Sequence, residues 1–357
     1  MRTRDDLRIL QALPLDLKIA MTKKRLHQWI RHYGQDGVYL SWSGGKDSTV
    51  LRHIIMQDYP AVESVFVNTG LEYPEIQRFV KAAKDRGEPV TILRPEMRFD
   101  EVIKKYGYPL IGKEVSNAIY EARRSIAKGN TNTVRVKRLN GELNITPDGK
   151  DRSQFNHEKY KPLLDVDFFI SDRCCRVMKK TPAKRYAKMT DKKPITAQMA
   201  CESRLRLNKW LQNGCNGFDM KAPISNPMSF WMEQDVLEYI KRFNVEIPIV
   251  YGEVVYADEP GQIRLEEITG ENIGCEALCT TGCARTGCIF CGFGAHLEKD
   301  ESRFERLKRT HPRQYEYCIG GGEYNDEGIW QPNKQGLGMG HVFDELNRIY
   351  GDGFIKY

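Results

Sequence analysis

The stretch that decides the fold reads Val38-Tyr39-Leu40-Ser41-Trp42-Ser43-Gly44-Gly45-Lys46-Asp47-Ser48-Thr49. Its first five residues are mostly apolar and predict a buried strand, and a helical pattern follows at 50–55. Glycines let the backbone approach an anion closely, and the first N–H groups of a helix point toward it. The two glycines, the lysine and the hydroxyl side chains of this loop therefore predict a phosphate-binding site.

Further elements follow in the order expected of an α/β protein. Strand patterns recur at 64–68 and 90–93, with a helix face at 76–83 between them. This alternation predicts a parallel sheet with helical crossovers. Later strands are predicted at 166–170 and 194–197, and helices at 5–33 and 229–243, the first of these a covering helix with a solvated basic face.

The composition is that of an ordinary globular protein. The chain has 357 residues, of which 40% are hydrophobic and 29% charged, enough for two domains or one core with large additions. No apolar run approaches the ~18 residues that a membrane helix needs. The charged N-terminus does not resemble a secretory signal, so we expect a cytoplasmic protein without a membrane partner.

Three segments are predicted along the chain. They are an N-terminal helical cover (1–36), a nucleotide-binding α/β domain (37–245) and a Cys- and Gly-rich C-terminal region (246–357). The second contains a basic insert at 123–161, where ten Lys and Arg face four Asp and Glu, a net charge of +6. The whole chain carries +7. The insert is either a solvated loop or a basic lid that contacts DNA, RNA or another anionic substrate.

The cysteines form a cluster in the sequence. There are ten, and five of them lie between 275 and 291. Disulfides are rare in a reducing compartment, so this clustering predicts a metal or iron–sulfur site.

The loop at 43–48 resembles the PP-loop of the ATP pyrophosphatase (adenine nucleotide α-hydrolase) superfamily, whose S-G-G-x-D-S signature it contains in full. The resemblance implies a Rossmann-like parallel sheet with helices on both faces. It also implies that a substrate oxygen attacks the α-phosphate of ATP and releases pyrophosphate. Lys46 and Asp47 are then candidate catalytic residues, and Mg²⁺ is a candidate cofactor. The residues implied to bind ATP are Ser43, Gly44, Gly45, Lys46, Asp47, Ser48 and Thr49.

Two more segments resemble the phosphoadenylylsulfate (PAPS) reductase branch of that superfamily. Residues 68–75 are similar to D-T-G-x-x-[FY]-P-E, with Asn68 in place of the usual Asp, and add Thr69, Gly70 and Glu72 to the implied nucleotide site. Residues 195–206 are similar to I-T-G-x-R-x-x-[EQ]-S-x-x-R and add Arg206. Ala197 and Met199 replace a Gly and an Arg of that pattern.

The pair Cys174-Cys175 and the later Cys288-x-x-Cys291 resemble the [4Fe–4S] site of the assimilatory adenylylsulfate reductases. The resemblance implies these four ligands, with Lys179 as a cation near the cluster and a candidate catalytic residue. Cys283 is an alternative ligand. Zinc also binds four thiolates with this spacing and stays open as the other metal.

Three functions follow. The reductases end in E-C-G-L-H, whereas this sequence has no cysteine after Cys318, and its phosphate loop is intact. The first hypothesis is therefore an ATP-cleaving iron–sulfur enzyme of sulfur transfer or nucleotide modification, like the DNA phosphorothioation and tRNA-thiolating proteins, with a sulfur donor protein as a possible partner. The second is a genuine PAPS or adenylylsulfate reductase with an atypical thiol. The third is a non-catalytic nucleotide- or nucleic-acid-binding protein with structural zinc.

Overall fold

The computed structural model describes residues 2–143, 153, 155–257 and 277–357. The chain forms two compact units. The first comprises Met1–Asn68, Glu72–Leu93 and Ala183–Thr286, and the second Thr69–Leu71, Arg94–Pro182 and Gly287–Tyr357. The units interleave along the chain, whereas the predicted segments are consecutive. The reason is that the chain leaves the first unit after its third strand and returns at Ala183 to add further strands.

The α-helices of the described residues are, in chain order, α1 Arg4–Gln11, α2 Leu15–Tyr33, α3 Lys46–Asp58, α4 Pro74–Asp85, α5 Phe99–Tyr106, α6 Lys113–Ile126, α7 Val134–Leu139, α8 Arg173–Cys175, α9 Thr181–Thr190, α10 Arg204–Asn213, α11 Glu233–Phe243, α12 Arg303–Thr310, α13 Pro312–Ile319 and α14 Met339–Tyr350. Short 3₁₀ turns lie at Glu158–Leu164, Ala200–Glu202, Ile249–Tyr251 and Ala295–Leu297, and a π-helical turn at Arg176–Lys180.

The strands are β1 Val38–Ser41, β2 Ser64–Val67, β3 Val90–Leu93, β4 Leu110–Ile111, β5 Lys193–Ile195, β6 Asn216–Gly217, β7 Ile224–Ser225, β8 Val254–Tyr256, β9 Leu278–Thr280, β10 Gly292–Phe293, β11 Glu323–Tyr324 and β12 Trp330–Gln331. No helix in the described part of the chain is long and apolar enough to span a membrane.

A six-stranded sheet, flanked by helices, organises the first unit. Its strand order is β3-β2-β1-β5-β7-β6, and every pairing is parallel except that of β6 with β7. This confirms the predicted parallel α/β fold. The order reverses at β1, which has β2 on one side and β5 on the other. Ligands bind at such a switch point, beyond the carboxyl ends of the strands, and this is where the phosphate loop begins.

Three predicted elements differ from the structure. The helix predicted at 5–33 is interrupted before Leu15, because Pro14 has no N–H to continue it. The helix predicted at 229–243 begins only at Glu233. The strand predicted at 166–170 does not join the large sheet: it lies in the second unit and forms isolated bridges, Phe168 to Trp330 and Ile170 to Tyr108.

The second unit is mostly helical, with two small sheets. One pairs β4 with β10 in parallel, and the other is the antiparallel pair of β11 and β12. The β4–β10 pairing brings the segment after Cys291 beside residues 110–111. Gly107 has φ +107°, and a Cβ there would lie 2.3 Å from the carbonyl carbon of Phe169, so only glycine fits at this approach of two segments.

Candidate functional site

The phosphate loop lies between β1 and α3, as predicted. Gly44 has φ +71°, and a Cβ at this position would lie 2.6 Å from Cγ2 of Ile76, so glycine is required on both grounds. The Ser43 N–H donates to Oγ of Ser48 at 3.2 Å, and the Ser48 hydroxyl donates to the Gly45 carbonyl at 3.0 Å. These bonds hold the loop against the N-terminus of α3.

Lys46, the cation of the loop, is buried, with 4% of the residue exposed. Its Nζ lies 3.0 Å from Oε1 of Glu233 and donates to the Ala284 carbonyl at 2.8 Å. Its backbone N–H donates to the Tyr251 hydroxyl at 3.1 Å, and that hydroxyl lies 2.6 Å from Oγ1 of Thr286. Sequence reasoning missed Glu233, Tyr251 and Thr286 as parts of this site.

Asp47, the next residue of the phosphate loop, has a buried carboxylate oxygen. Its Oδ1 has no hydrogen-bond partner among the described residues. Burial raises the pKa of Asp47, while the positive charges of Lys46, Arg285 and Arg206 oppose this shift. The Lys46 Nζ lies 3.9 Å from this oxygen, an ion pair without a hydrogen bond. A buried carboxylate oxygen without a hydrogen bond suits a divalent cation with oxygen ligands, and Mg²⁺ is the cation that commonly accompanies nucleotide phosphates.

Arg206 is held near the loop by local structure. The Ser203 hydroxyl accepts the Arg206 N–H at 3.3 Å and so caps α10. The Arg206 guanidinium is ion-paired with Glu202, whose other oxygen accepts a bond from Arg285 at 3.0 Å. Burial lowers the pKa of Arg206, and Asp47 raises it. The residues of the predicted motif therefore lie on the same side of the first unit as Asp47.

The segment after β2 is divided between the two units. Asn68, whose N–H donates to the Leu93 carbonyl at 2.8 Å, and the buried Glu72 belong to the first unit. Thr69 and Gly70 belong to the second. Thr69 is buried, and its hydroxyl accepts the Leu71 N–H at 3.1 Å.

Four of the predicted metal ligands come together within the second unit. Cys174 lies in α8, Cys175 ends it, and Cys288 and Cys291 precede β10. The four line one apolar cavity together with Lys179, Leu71, Phe99, Pro109 and Met178. Lys179 therefore lies where the resemblance implies a cation.

The arrangement of these thiols bears on the choice of metal. Among the described residues, no three Cys, His, Asp or Glu side chains converge as the ligands of one metal ion do. In a [4Fe–4S] cubane each thiolate binds a different iron, so the sulfurs surround the cluster instead of meeting at one atom. A [4Fe–4S] cluster bound through these four thiols stays the prediction that the resemblance implies, and zinc stays the other metal that the spacing allows.

In the pair Cys174 and Cys175, the surroundings favour the thiolate form of Cys175 and the thiol form of Cys174. A hydrogen bond from Cys174 lowers the pKa of Cys175 to about 6, helped by the positive charges of Lys113, Lys179 and Lys180. The same bond, together with burial, raises the pKa of Cys174. Thiolates are the form that binds metals.

Cys283, the alternative ligand, is placed differently from these four cysteines. Cys283 belongs to the first unit, where its N–H donates to the Val250 carbonyl at 2.9 Å, and it is not among the residues that line the four-cysteine cavity. Cys275 lies outside the described residues.

Cys318, the last cysteine of the sequence, is the candidate for the atypical thiol of the reductase hypothesis. It lies in α13, is fully buried, and its Sγ contacts Sδ of Met339 at 3.5 Å. Burial raises the pKa of Cys318. A buried, protonated thiol is a poor nucleophile.

We therefore expect Cys318→Ala to leave nucleotide turnover within about twofold of wild type, while the lost sulfur destabilises the fold slightly. The measurement is pyrophosphate release from ATP and, separately, sulfite release from adenylylsulfate. Loss of either activity in a folded Cys318→Ala protein would show that Cys318 takes part in the reaction.

The basic insert uses some of its cations internally. The Arg123 guanidinium donates to three backbone carbonyls, of Leu164, Val166 and Phe168, and burial lowers its pKa. Arg138 pairs with Glu114 at 2.8 Å. Lys150 and Arg152 lie outside the described residues. The predicted contact with DNA or RNA therefore depends on the remaining cations of the insert, not on Arg123.

The sheet, its switch point at β1 and the glycine loop that follows define a doubly wound α/β protein. The family model of the phosphoadenosine phosphosulfate reductase domain matches residues 37–128. An adenosine 5'-phosphosulfate reductase of Bacillus mycoides is 29% identical over 84 residues, 23% of this chain and 36% of that protein. The matched segment thus spans about a third of the length of this curated relative.

Among solved structures, the PAPS reductase of Candida auris in its phosphate complex is similar with a TM-score of 0.37 and 14% identity. The alignment covers 70% of this chain and 91% of that one. The family match begins immediately before β1 and includes the phosphate loop. Residues 37–128 are therefore similar to the PAPS reductase domain, over β1 to β3 and the phosphate loop.

Proposed function

We propose that this protein binds ATP at the phosphate loop and cleaves it to AMP and pyrophosphate. The cleavage serves sulfur transfer to, or modification of, a nucleotide or nucleic-acid substrate. The observation that carries the proposal is the buried Lys46 ammonium at the N-terminus of α3, beside the carboxyl end of β1. A fixed cation at a helix N-terminus, at a sheet switch point, is suited to a polyphosphate.

The chemistry assigns distinct tasks to the residues of the loop. A substrate oxygen attacks the α-phosphorus, the bond from that phosphorus to the bridging oxygen breaks, and pyrophosphate leaves with the electron pair. A sulfur nucleophile from the donor then attacks the substrate carbon that bears the adenylated oxygen, and AMP leaves with that oxygen and its electron pair. Lys46 offsets the charge that develops on the pyrophosphate, and Glu233 and the Ala284 carbonyl orient its ammonium. Asp47 supplies the carboxylate oxygen that would hold Mg²⁺, which would neutralise phosphate charge.

The four-cysteine cavity would hold a [4Fe–4S] cluster through Cys174, Cys175, Cys288 and Cys291. Such a cluster supplies one-electron transfer or a site that binds sulfur. The apolar wall shields the site from water, and Lys179 offsets the negative charge that four thiolates bring.

The test is a pyrophosphate assay on anaerobically purified protein, with ATP alone and with added RNA or DNA. We expect ATP-dependent pyrophosphate release that rises with the acceptor. Release of sulfite from adenylylsulfate or PAPS, without any turnover of ATP, would support the reductase alternative instead. Absence of all nucleotide turnover, with one zinc per chain, would support the binding protein.

We expect Cys288→Ser to lose most of the bound iron and the brown colour of anaerobically prepared protein, since serine is a poor ligand for iron in such clusters. Iron, sulfide and zinc analysis measures this. The matched control is Cys201→Ser, which changes an exposed cysteine of the first unit and should keep the iron. A colourless, iron-free wild-type protein would contradict the cluster.

A further inference from the structure

A second cavity lies in the first unit, and no residue of the phosphate loop lines it. Its volume is about 330 Å³, within the range of small-molecule sites. It is enclosed by α1, α2, α10 and the segment that follows α10. Neither Lys46, Asp47 nor Glu233 lines this cavity, so ATP cleavage does not explain it.

Two guanidinium groups face the cavity, those of Arg2 and Arg25. Neither forms an ion pair within the described ranges; Arg25 donates only to Oε1 of Gln28, at 3.2 Å. The Arg2 guanidinium packs against the backbone of Gly214, where a Cβ would lie 2.6 Å from its Cζ. Both positive charges act on the Cys215 thiol, opposing the rise in its pKa that burial causes. Both arginines line this one cavity.

One acidic side chain also lines the cavity, that of Asp6. Its carboxylate accepts the Thr3 N–H at 2.7 Å, and the Thr3 hydroxyl accepts the Asp6 N–H in return. This capping box fixes Asp6 at the start of α1 and uses its oxygen locally. Asp6 therefore does not neutralise either arginine.

A buried donor in the lining lacks a strong acceptor. Trp210 is 4% exposed, and its Nε1–H meets no oxygen or nitrogen acceptor among the described residues. The group that it approaches is the Cys215 thiol, where a hydrogen bond from Trp210 works against the rise in pKa, and sulfur is a weak acceptor. An oxygen of a ligand would be a stronger acceptor for this N–H. The lining also contains two aromatic rings, those of Phe218 and Phe230.

We propose that this cavity binds a phosphate monoester of a planar organic group, of the size of a nucleoside monophosphate. The phosphate, with a charge of about −1.5 to −2 at pH 7, pairs with Arg2 and Arg25, whose planar forks bind such oxygens in a bidentate way. The indole N–H of Trp210 donates to the same ligand, and Phe218 and Phe230 contact its planar part.

The test follows the indole N–H of Trp210 by NMR in full-length protein with ¹⁵N-labelled tryptophan, the resonance being assigned with Trp210→Phe. The probes are AMP, adenosine and inorganic phosphate. We expect AMP to shift this resonance saturably, in wild type and equally in Lys46→Ala, and more tightly than either partial probe. Arg2→Gln and Arg25→Gln should each weaken AMP binding about tenfold or more.

The matched control is Lys23→Gln, which removes a cation of α2 that pairs with Asp58 and does not line the cavity; binding should be unchanged. No shift of the Trp210 resonance at millimolar AMP would overturn the proposal. So would binding that both arginine variants leave intact, or phosphate binding as tightly as AMP. Arg25→Lys keeps the charge and should bind AMP with an affinity between those of wild type and Arg25→Gln. This result would show that Arg25 recognises the phosphate and does not act only by maintaining the fold. AMP binding is measured in Lys46→Ala as well as in wild type, and this measurement does not depend on ATP cleavage. A negative result would therefore leave the proposed cleavage of ATP undecided.

Discussion

Replacement of Lys46 by alanine should reduce pyrophosphate release from ATP by at least about a hundredfold, because loss of one preorganised charge donor costs about 10²–10³ in rate. The ammonium is enclosed and held by Glu233 and the Ala284 carbonyl, so no other cation can take its place without rearrangement. Steady-state rates of pyrophosphate release, with ATP as the varied substrate, measure the effect.

The variant should fold. Glu233, the carboxylate left behind, is about half exposed and stays hydrated without its partner. Lys23→Ala is the matched control, since it removes a surface lysine that pairs with Asp58, and its rate should equal that of wild type. A Lys46→Ala protein that cleaves ATP at the wild-type rate would show that the loop does not bind the reacting phosphates.

Asp235→Asn should destabilise the first unit by about 3–5 kcal/mol, the range for breaking a buried ion pair. Lys18 is 2% exposed, and its Nζ donates to both oxygens of Asp235 at 2.7 and 2.6 Å. The substitution leaves a buried ammonium with one neutral acceptor. Denaturant unfolding followed by tryptophan fluorescence measures the change, because Trp29 and Trp231 are fully buried in this unit.

The chain offers a matched control between the same two helices. Arg242 of α11 pairs with Asp16 of α2 at 2.9 Å, but both side chains are largely exposed. Asp16→Asn should therefore cost less than about 1 kcal/mol. Lys18→Met combined with Asp235→Leu should recover most of the stability, since an apolar pair of similar volume avoids the unpaired charge. Equal losses for Asp16→Asn and Asp235→Asn would contradict this account.

The strand–loop–helix at 38–58 was predictable because its signal is local. An apolar run, two glycines and a helical period follow one another without a gap, and each limits the backbone by itself. The placement of Cys174 and Cys175 in one cavity with Cys288 and Cys291 agreed with the ligand set that the family resemblance implied. The identity of the metal remains a prediction.

What the sequence did not predict depends on contacts between distant residues. Tyr251 reaches the Lys46 N–H across 205 positions of sequence, and no local pattern marks it. The strand pattern at 166–170 is apolar, but apolarity does not select the partner strand, and the segment pairs in the second unit. Lys18 was expected on a solvated basic face, yet Asp235 allows its burial.

Cleavage between the α- and β-phosphates of ATP is the reaction that we propose for the phosphate loop. ATP with one isotope in its α-phosphate and another in its γ-phosphate, incubated anaerobically with sulfide and with RNA or DNA, shows which bond breaks. We expect the α-label in AMP or an adenylated acceptor and the γ-label in pyrophosphate, with neither product formed by Lys46→Ala. Recovery of the γ-label as inorganic phosphate, with the α-label in ADP, would contradict it.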